Sequence, residues 1–335
     1  MKAMILEKFT SIEEKPLKLK DIPLPQLGRG EILVEISVCG VCHTDLHTVE
    51  GELSQVKLPI IPGHQVVGKV KEKGEGASRF ALGERVGIAW LYSTDEKCEF
   101  CRQGLENLCL AARFTGYHVN GGYAEYIKIP EAFAYPLPEG FPDIQTAPLL
   151  CAGIIGYRAL RLSNIKPGQR LGLIGFGASA HVAIQVALYW GCEVYVFSRS
   201  PEHRALAREL GARWTGTLND KPPVELDSIV NFTPAGPTVL AGMRLLGRGG
   251  TQALAGIYMT PIPEMDYQEH LYWEKTLRSV ANATRRDGEE LLALAAEIPI
   301  KTTVETYPLA KANEVLLKLK HSEIDGAAVL VVREE

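Results

Sequence analysis

The sequence predicts an α/β chain of two domains, a β-rich one with long loops and a doubly wound parallel sheet inserted into it. Three observations predict this. At 335 residues the chain exceeds the usual size of one domain. Its first part carries short β-branched runs broken by Gly and Pro, whereas the middle alternates apolar strands with amphipathic helices, and the tail returns to a mixed pattern. Residues 1–152 and 296–335 are therefore expected to form the first domain and residues 153–295 the second.

In the first region Ile32–Val38, Val66–Val70, Arg85–Ala89 and Tyr123–Ile129 read as strands between turn residues. In the second, Leu171–Ile174 reads as a strand, Ser179–Tyr189 as a helix, Val194–Phe197 as a strand and Glu202–Leu210 as a helix. Ser228–Phe232, Thr251–Ala255 and Arg278–Ala281 read as further strands, with helices near Thr238–Leu246 and Gly288–Ala296. Such alternation implies right-handed crossovers and a parallel sheet covered on both faces. In the tail, Thr302–Thr306, a helix Ala310–Leu319 and a strand Ala328–Val332 are expected to dock back on the first domain. Internal repeats and low-complexity stretches are absent from the sequence, which sets aside solenoids.

Composition narrows the function classes. Hydrophobic residues make up 46% and charged residues 23%, ordinary for a globular protein, and the net charge of −4 gives no basic excess to follow a phosphate backbone. Nucleic acid is not an expected partner. The opening MKAMILEKFTSIEEKPL lacks the apolar core and small-residue cleavage site of a secretory signal, so a cytoplasmic location is expected. Leu171 to Cys192 runs without a formal charge, but Gly172, Gly175, Gly177, His181 and Gln185 suit a buried strand, tight turn and helix, not a membrane span. Seven cysteines in such a chain favour metal or catalytic use over a disulfide framework.

Within LGLIGFGASAHVA, Gly175-x-Gly177-x-x-Ala180 lies between a strand and a helix, the setting a dinucleotide-binding (Rossmann) fingerprint requires. Gly175 permits the tight turn, Gly177 lets the backbone approach a pyrophosphate, and Ala180 takes the third position, where close helix-to-strand packing is needed. Free N–H groups at the helix start, over Ala178, Ser179 and Ala180, would face the phosphates. The end of the next strand reads VYVFSRSPEHR. An NAD site usually places a carboxylate there, whereas this chain has Ser198, Arg199 and Ser200, with Arg204 one turn into the following helix. Hydroxyls and a guanidinium suit a 2′-phosphate, so NADP is the preferred cofactor, with NAD an alternative.

Cys42 in CGVCHTD, His64 in PIIPGHQVVG and Cys151 in LLCAG can together hold a catalytic zinc. Two thiolates and a neutral imidazole cancel the ion's charge, fill three tetrahedral positions and leave a fourth open for water or an alcohol oxygen. The stretch DEKCEFCRQGLENLC adds Cys98, Cys101 and Cys109, a closed structural zinc site, with Asp95 a candidate fourth ligand.

From GVCHTDLH and PGHQVVG through the cysteine loop and GYAEY to the nucleotide fold and the closing DGAAVLVV, the chain resembles the zinc-dependent medium-chain alcohol dehydrogenases. The resemblance implies that the β-rich part is a GroES-like catalytic domain, that Cys42, His64 and Cys151 are catalytic zinc ligands, and that Cys98, Cys101 and Cys109 belong to the structural site, where Asp95 replaces a first cysteine. By the same resemblance Asp45 accepts the second N–H of the ligand histidine and fixes its tautomer. Gln65 stands where the family usually has Glu, removing a negative charge beside the metal. Thr44 is matched to the hydroxyl that touches the substrate oxygen, His47 to the outer member of a proton relay through the cofactor ribose, and His43 to the residue near the cofactor pyrophosphate.

Leu53, Trp90 and Tyr117 lie near motifs that line the family's substrate cleft, suggesting primary alcohols or aldehydes with an apolar tail. The expected activity is hydride transfer between such a small-molecule alcohol or aldehyde and NADP(H), in a homodimer or homotetramer. The alternatives are a zinc-independent quinone or enoyl reductase on the same scaffold, which does not need the Cys42, His64 and Cys151 set, and a non-catalytic nucleotide-binding protein.

Overall fold

The long strand Glu31–Val41 is the spine of the first of two units. Its near-continuous apolar run is buried along most of its length, as expected of a strand covered on both faces. It pairs antiparallel with Gln65–Lys73, Tyr126–Pro130 and Ala327–Val331. The resulting seven-stranded sheet runs Val304–Pro308, Ala327–Val331, Glu31–Val41, Gln65–Lys73, Arg85–Ile88 and Ala134–Pro136, with Tyr126–Pro130 off this path. In this computed structural model residues 1–53, 56–298, 300–324 and 326–333 are described. Asp325, the first residue of the closing DGAAVLVV motif, lies outside them.

The first unit comprises Met1–Cys151, Thr284–Glu297 and Lys301–Glu335. Its core joins the sheet to Leu46 and Val49 of the helix His43–Glu50 and to Val315 and Leu316 of the helix Ala312–Lys320. Two strands that the sequence reading did not anticipate, Lys2–Leu6 and Leu17–Asp21, pair antiparallel at its margin.

The helix Arg285–Glu297 groups with this unit, although its periodicity reads as part of the alternating region. The reason is local. Thr284 donates to Asp287 Oδ2 through its N–H at 2.8 Å and its hydroxyl at 2.6 Å, which starts the helix. Arg285 then reaches Glu106 and Glu96, and its guanidinium lies 4.5 Å from the centre of the Phe133 ring. Gly288 sits against Tyr135 so closely that a Cβ would come within 2.6 Å of the ring.

The second unit comprises Ala152–Ala283 and Ile298–Ile300. Its six strands are parallel and run Trp214–Gly216, Glu193–Phe197, Arg170–Ile174, Leu226–Asn231, Leu246–Leu254 and Thr276–Ser279. In chain order this is third, second, first, fourth, fifth, sixth, the doubly wound arrangement, with its switch point between Arg170–Ile174 and Leu226–Asn231. The helix Ala178–Tyr189 packs against Ala152–Leu162, and Gly156 allows the approach, since a Cβ there would lie 2.7 Å from Ser179 O. The fold is the expected α/β class, a β-rich part with a doubly wound parallel sheet. Among the described residues no helix is long and apolar enough to cross a membrane.

Candidate active site

The end of the spine strand delivers Cys42 to the N-cap of the helix His43–Glu50. This helix is missing from the strand-and-turn reading because its buried face is half polar: Asp45 and Thr48 are buried with Leu46 and Val49. Asp45 closes the first turn by accepting the Cys42 N–H on Oδ2 at 2.9 Å. Its other oxygen, Oδ1, accepts the Gly63 N–H at 3.2 Å and faces His64 Nδ1 at 3.1 Å. Gly63, at φ +95°, has no room for a side chain, since a Cβ would come within 2.4 Å of Tyr123. That sharp turn aims His64 inward just before the strand Gln65–Lys73 begins.

His64 is 1% exposed and Asp45 likewise 1%. A carboxylate oxygen accepts, so Nδ1 is the nitrogen placed to donate its proton to Asp45, and in a metal-bound, neutral imidazole Nε2 would supply the lone pair. Nε2 lies 3.5 Å from Cys42 Sγ and 3.4 Å from Cys151 Sγ. All three ligand atoms fall within 4.8 Å of one another. The Cys151 thiol and burial hold the Cys42 thiol well above its ordinary range. For His64, burial is outweighed by the Asp45 carboxylate and Cys42, which raise it to about 10. A metal ligates the thiolate form, so a cation here would offset what disfavours the Cys42 thiolate, and the donor set fits a zinc ion with one position open.

The second cluster also closes. Asp95, Cys98, Cys101 and Cys109 place their ligand atoms within 4.8 Å of one another around the short helix Glu99–Arg102. Cys98 and Cys101 sulfurs are 3.5 Å apart. Asp95 Oδ1 accepts the N–H groups of Lys97 at 3.0 Å and Cys98 at 2.9 Å and the Cys101 thiol at 3.3 Å. The Cys98 and Lys97 N–H groups hold the Asp95 carboxyl well below its usual range. Asp95 therefore shapes the loop as well as offering an oxygen to a metal.

Thr44 and His47 lie one turn apart on the partly exposed side of the helix His43–Glu50. His47 Nδ1 pairs with Glu52. His43 is exposed, with its ring 6.4 Å from that of His47. Gln65 is buried against Gly40, and among the described residues its Nε2 has no hydrogen-bond partner.

Trp90 meets the candidate ligand His64 edge-on at 4.8 Å between ring centres and lies 5.5 Å from Tyr117. Phe114 and His118, which the sequence reading did not single out, complete this aromatic group: Phe114 stacks on Trp90 at 5.3 Å and His118 lies 4.4 Å from Tyr117. The aromatic density of RFTGYH was the available signal. Leu53 is half-buried and outside that ring cluster.

In the second unit the strand Arg170–Ile174 ends at Gly175, whose φ of +82° makes the turn. Gly177 caps the helix Ala178–Tyr189, and a Cβ placed on it would meet nothing within 4 Å, so the backbone there borders open space. The helix's first bond runs from His181 N to Gly177 O at 3.0 Å. Ala178, Ser179 and Ala180 therefore present N–H groups with no partner in the helix itself, and Ala180 is fully buried. These features fit a dinucleotide pyrophosphate.

At the end of the strand Glu193–Phe197, Ser198 N bonds to Gly216 O at 2.9 Å. Ser200 caps the helix Pro201–Glu209, accepting His203 N at 3.0 Å and donating to Glu202 Oε2 at 2.7 Å. Arg204 Nη1 donates to the carbonyls of Ser198 at 2.7 Å and Arg199 at 2.9 Å.

A doubly wound sheet with a phosphate cradle, in one chain with a three-donor zinc set, defines an oxidoreductase class. A family model for the alcohol dehydrogenase GroES-like domain matches residues 28–139, and one for zinc-binding dehydrogenases matches residues 180–297. A probable alcohol dehydrogenase of Mycobacterium tuberculosis is 47% identical over 322 residues, covering 95% of this chain and 93% of that protein. An alcohol dehydrogenase of Geobacillus stearothermophilus is 36% identical over 344 residues, covering 100% of each. The solved alcohol dehydrogenase of the archaeon Aeropyrum pernix superposes with a TM-score of 0.87 at 29% identity, covering 99% of this chain and 100% of that one. The chain belongs to the zinc-dependent medium-chain alcohol dehydrogenase family, and its activity class is that of an alcohol dehydrogenase.

Proposed function

We propose that this protein transfers hydride between a primary alcohol or aldehyde with an apolar tail and NADP(H), with NAD(H) as the weaker cofactor. The convergence of Cys42, His64 and Cys151 around one point, with Asp45 fixing the histidine tautomer, carries the reading. When bound, zinc supplies Lewis acidity toward the substrate oxygen, and the nicotinamide exchanges the hydride.

The chain's own residues do the rest. Asp45 keeps the His64 Nε2 lone pair directed at the metal position. Thr44 holds the substrate oxygen through its hydroxyl, and His47, steadied by Glu52, takes the alcohol proton outward. Trp90 and Tyr117, backed by Phe114 and His118, give the substrate an apolar wall. Asp95, Cys98, Cys101 and Cys109 hold a second, structural zinc. Gly175, Gly177 and the helix start at Ala178 seat the pyrophosphate, and Ser198, Arg199, Ser200 and Arg204 offer a 2′-phosphate no strand-end carboxylate. On this reading the first unit, which includes the helix Arg285–Glu297, is the catalytic domain, and the second binds the dinucleotide. A homodimer or homotetramer in the cytoplasm is the expected setting, and seven free cysteines suit a reducing compartment.

The test is zinc content together with NADPH and NADH oxidation over an aldehyde panel, before and after chelation. Activity should track the catalytic zinc and favour NADPH. Turnover that survives complete loss of metal would overturn the zinc mechanism, and a strong NADH preference would overturn the cofactor assignment.

A further inference from the structure

We infer that Glu202 is a specificity-determining residue of the nucleotide site, one that holds back the 2′-phosphate of NADP(H) by its charge and by claiming the only proton Ser200 can donate. This rests on the reading of Ser198, Arg199 and Ser200 as the seat of the adenosine ribose. A serine hydroxyl has one proton and two lone pairs. In Ser200 a lone pair caps the helix by accepting His203 N at 3.0 Å, and the proton goes to Glu202 Oε2 at 2.7 Å. A phosphate dianion accepts only, so it must compete with the Glu202 carboxylate for that same proton.

The surrounding charges leave this contest finely set. Arg204 is anchored at the strand end by Nη1, which donates to Ser198 O and Arg199 O, so its positive charge is fixed near the seat. Arg199, which is exposed, adds to it. Against them stand Glu202 and Asp220, the latter held by Thr217 through its N–H at 2.7 Å and its hydroxyl at 2.8 Å. The bond from the Ser200 hydroxyl keeps the Glu202 carboxyl below its usual range, so it is ionised at neutral pH.

A ribose 2′-hydroxyl meets the same group differently. It donates as well as accepts, so it can give its own proton to Glu202, doing the work a strand-end carboxylate does in NAD sites. One short segment therefore offers NADP(H) a cationic seat and NAD(H) an acidic partner. The preference is the difference between the two, and Glu202 is the residue that narrows it.

The test uses the full-length, zinc-loaded protein with Glu202→Gln and Glu202→Ala, measuring the Kd of NADP+ and of NAD+ by calorimetry. Gln removes the charge and keeps an acceptor for Ser200, whereas Ala removes both. The ratio of NAD+ to NADP+ dissociation constants should rise about fivefold in Glu202→Gln and on the order of tenfold or more in Glu202→Ala. Ser200→Ala should weaken NADP+ by a larger factor on top of Glu202→Ala than in the wild-type background, a coupling that a merely structural cap would not produce. A ratio unchanged in both Glu202 variants overturns the inference, whatever the wild type prefers. A wild type that strongly prefers NAD+ while both variants still shift the ratio overturns the NADP reading and leaves the role of Glu202 standing.

Discussion

The Cys42, His64, Cys151 cluster and the Asp95, Cys98, Cys101, Cys109 cluster gather their donors to the same closeness by opposite routes. The first draws on three distant stretches of chain, and its histidine is buried and tied through Asp45 to the backbone of Cys42 and Gly63. The second takes every donor from one loop, three of the four half-exposed. Three donors fixed by tertiary structure leave one position free for a reacting oxygen, whereas four donors from a single loop close the sphere and organise only that loop. On the proposed reading, the difference separates a metal held by the fold for chemistry from one that holds a piece of the fold.

The largest expected effect breaks the comparison at its first member. Cys42→Ala should lower kcat/KM by about a thousandfold or more, since several kcal/mol of charge stabilisation go with the ion. Cys98→Ser should remove the other zinc yet cost less than about tenfold in turnover. Metal analysis with steady-state kinetics distinguishes the two, and comparable losses in both variants would show that the loop metal also serves the chemistry.

Asp45→Asn sharpens the same contrast at smaller size. The amide has the shape of the carboxylate but lacks its charge, and two donors, His64 Nδ1–H and Gly63 N–H, converge on Oδ1. Zinc affinity at the first site should fall about 10- to 100-fold, measured by chelator competition, with the second site unchanged. An equal loss at both sites would mean the substitution damages the fold at large.

Much of this was legible in the sequence, for physical reasons that differ from place to place. The nucleotide cradle is built by the backbone of one strand, turn and helix, so Gly175, Gly177 and the apolar runs around them announce it. Both donor sets were legible as residue types, though only the loop set could be seen as a cluster from spacing. The helix His43–Glu50 was not legible, because the positions it buries include Asp45 and Thr48, and a half-polar buried face erases the apolar period. The grouping of Arg285–Glu297 with the first unit was hidden for a related reason. Its helical period says that one face is buried, but the partners Tyr135, Phe133 and Glu106 lie far off in the chain. Glu202 escaped notice because an acidic residue in a first helical turn is common wherever helices begin.

The smallest expected effect concerns how the loop metal is held to the rest of the first unit. Glu106 is 5% exposed and sits between two cysteines of the loop. It accepts the backbone N–H of Arg285 at 2.9 Å, with the guanidinium 3.4 Å away, and the same guanidinium reaches Glu96 at 3.1 Å. Arg285→Ala keeps the backbone bond and leaves a buried carboxylate with half its support, which should cost about 1–2 kcal/mol. That loss should appear as a lower Tm and as faster release of the loop zinc to a chelator, while release from Cys42, His64 and Cys151 stays at the wild-type rate. If the loop is organised by its metal alone, Arg285→Ala will leave loop-zinc release unchanged. If Arg285 anchors it, release will quicken in Arg285→Ala, and the Tm difference between the two proteins will shrink once Cys98→Ser has removed the metal from both.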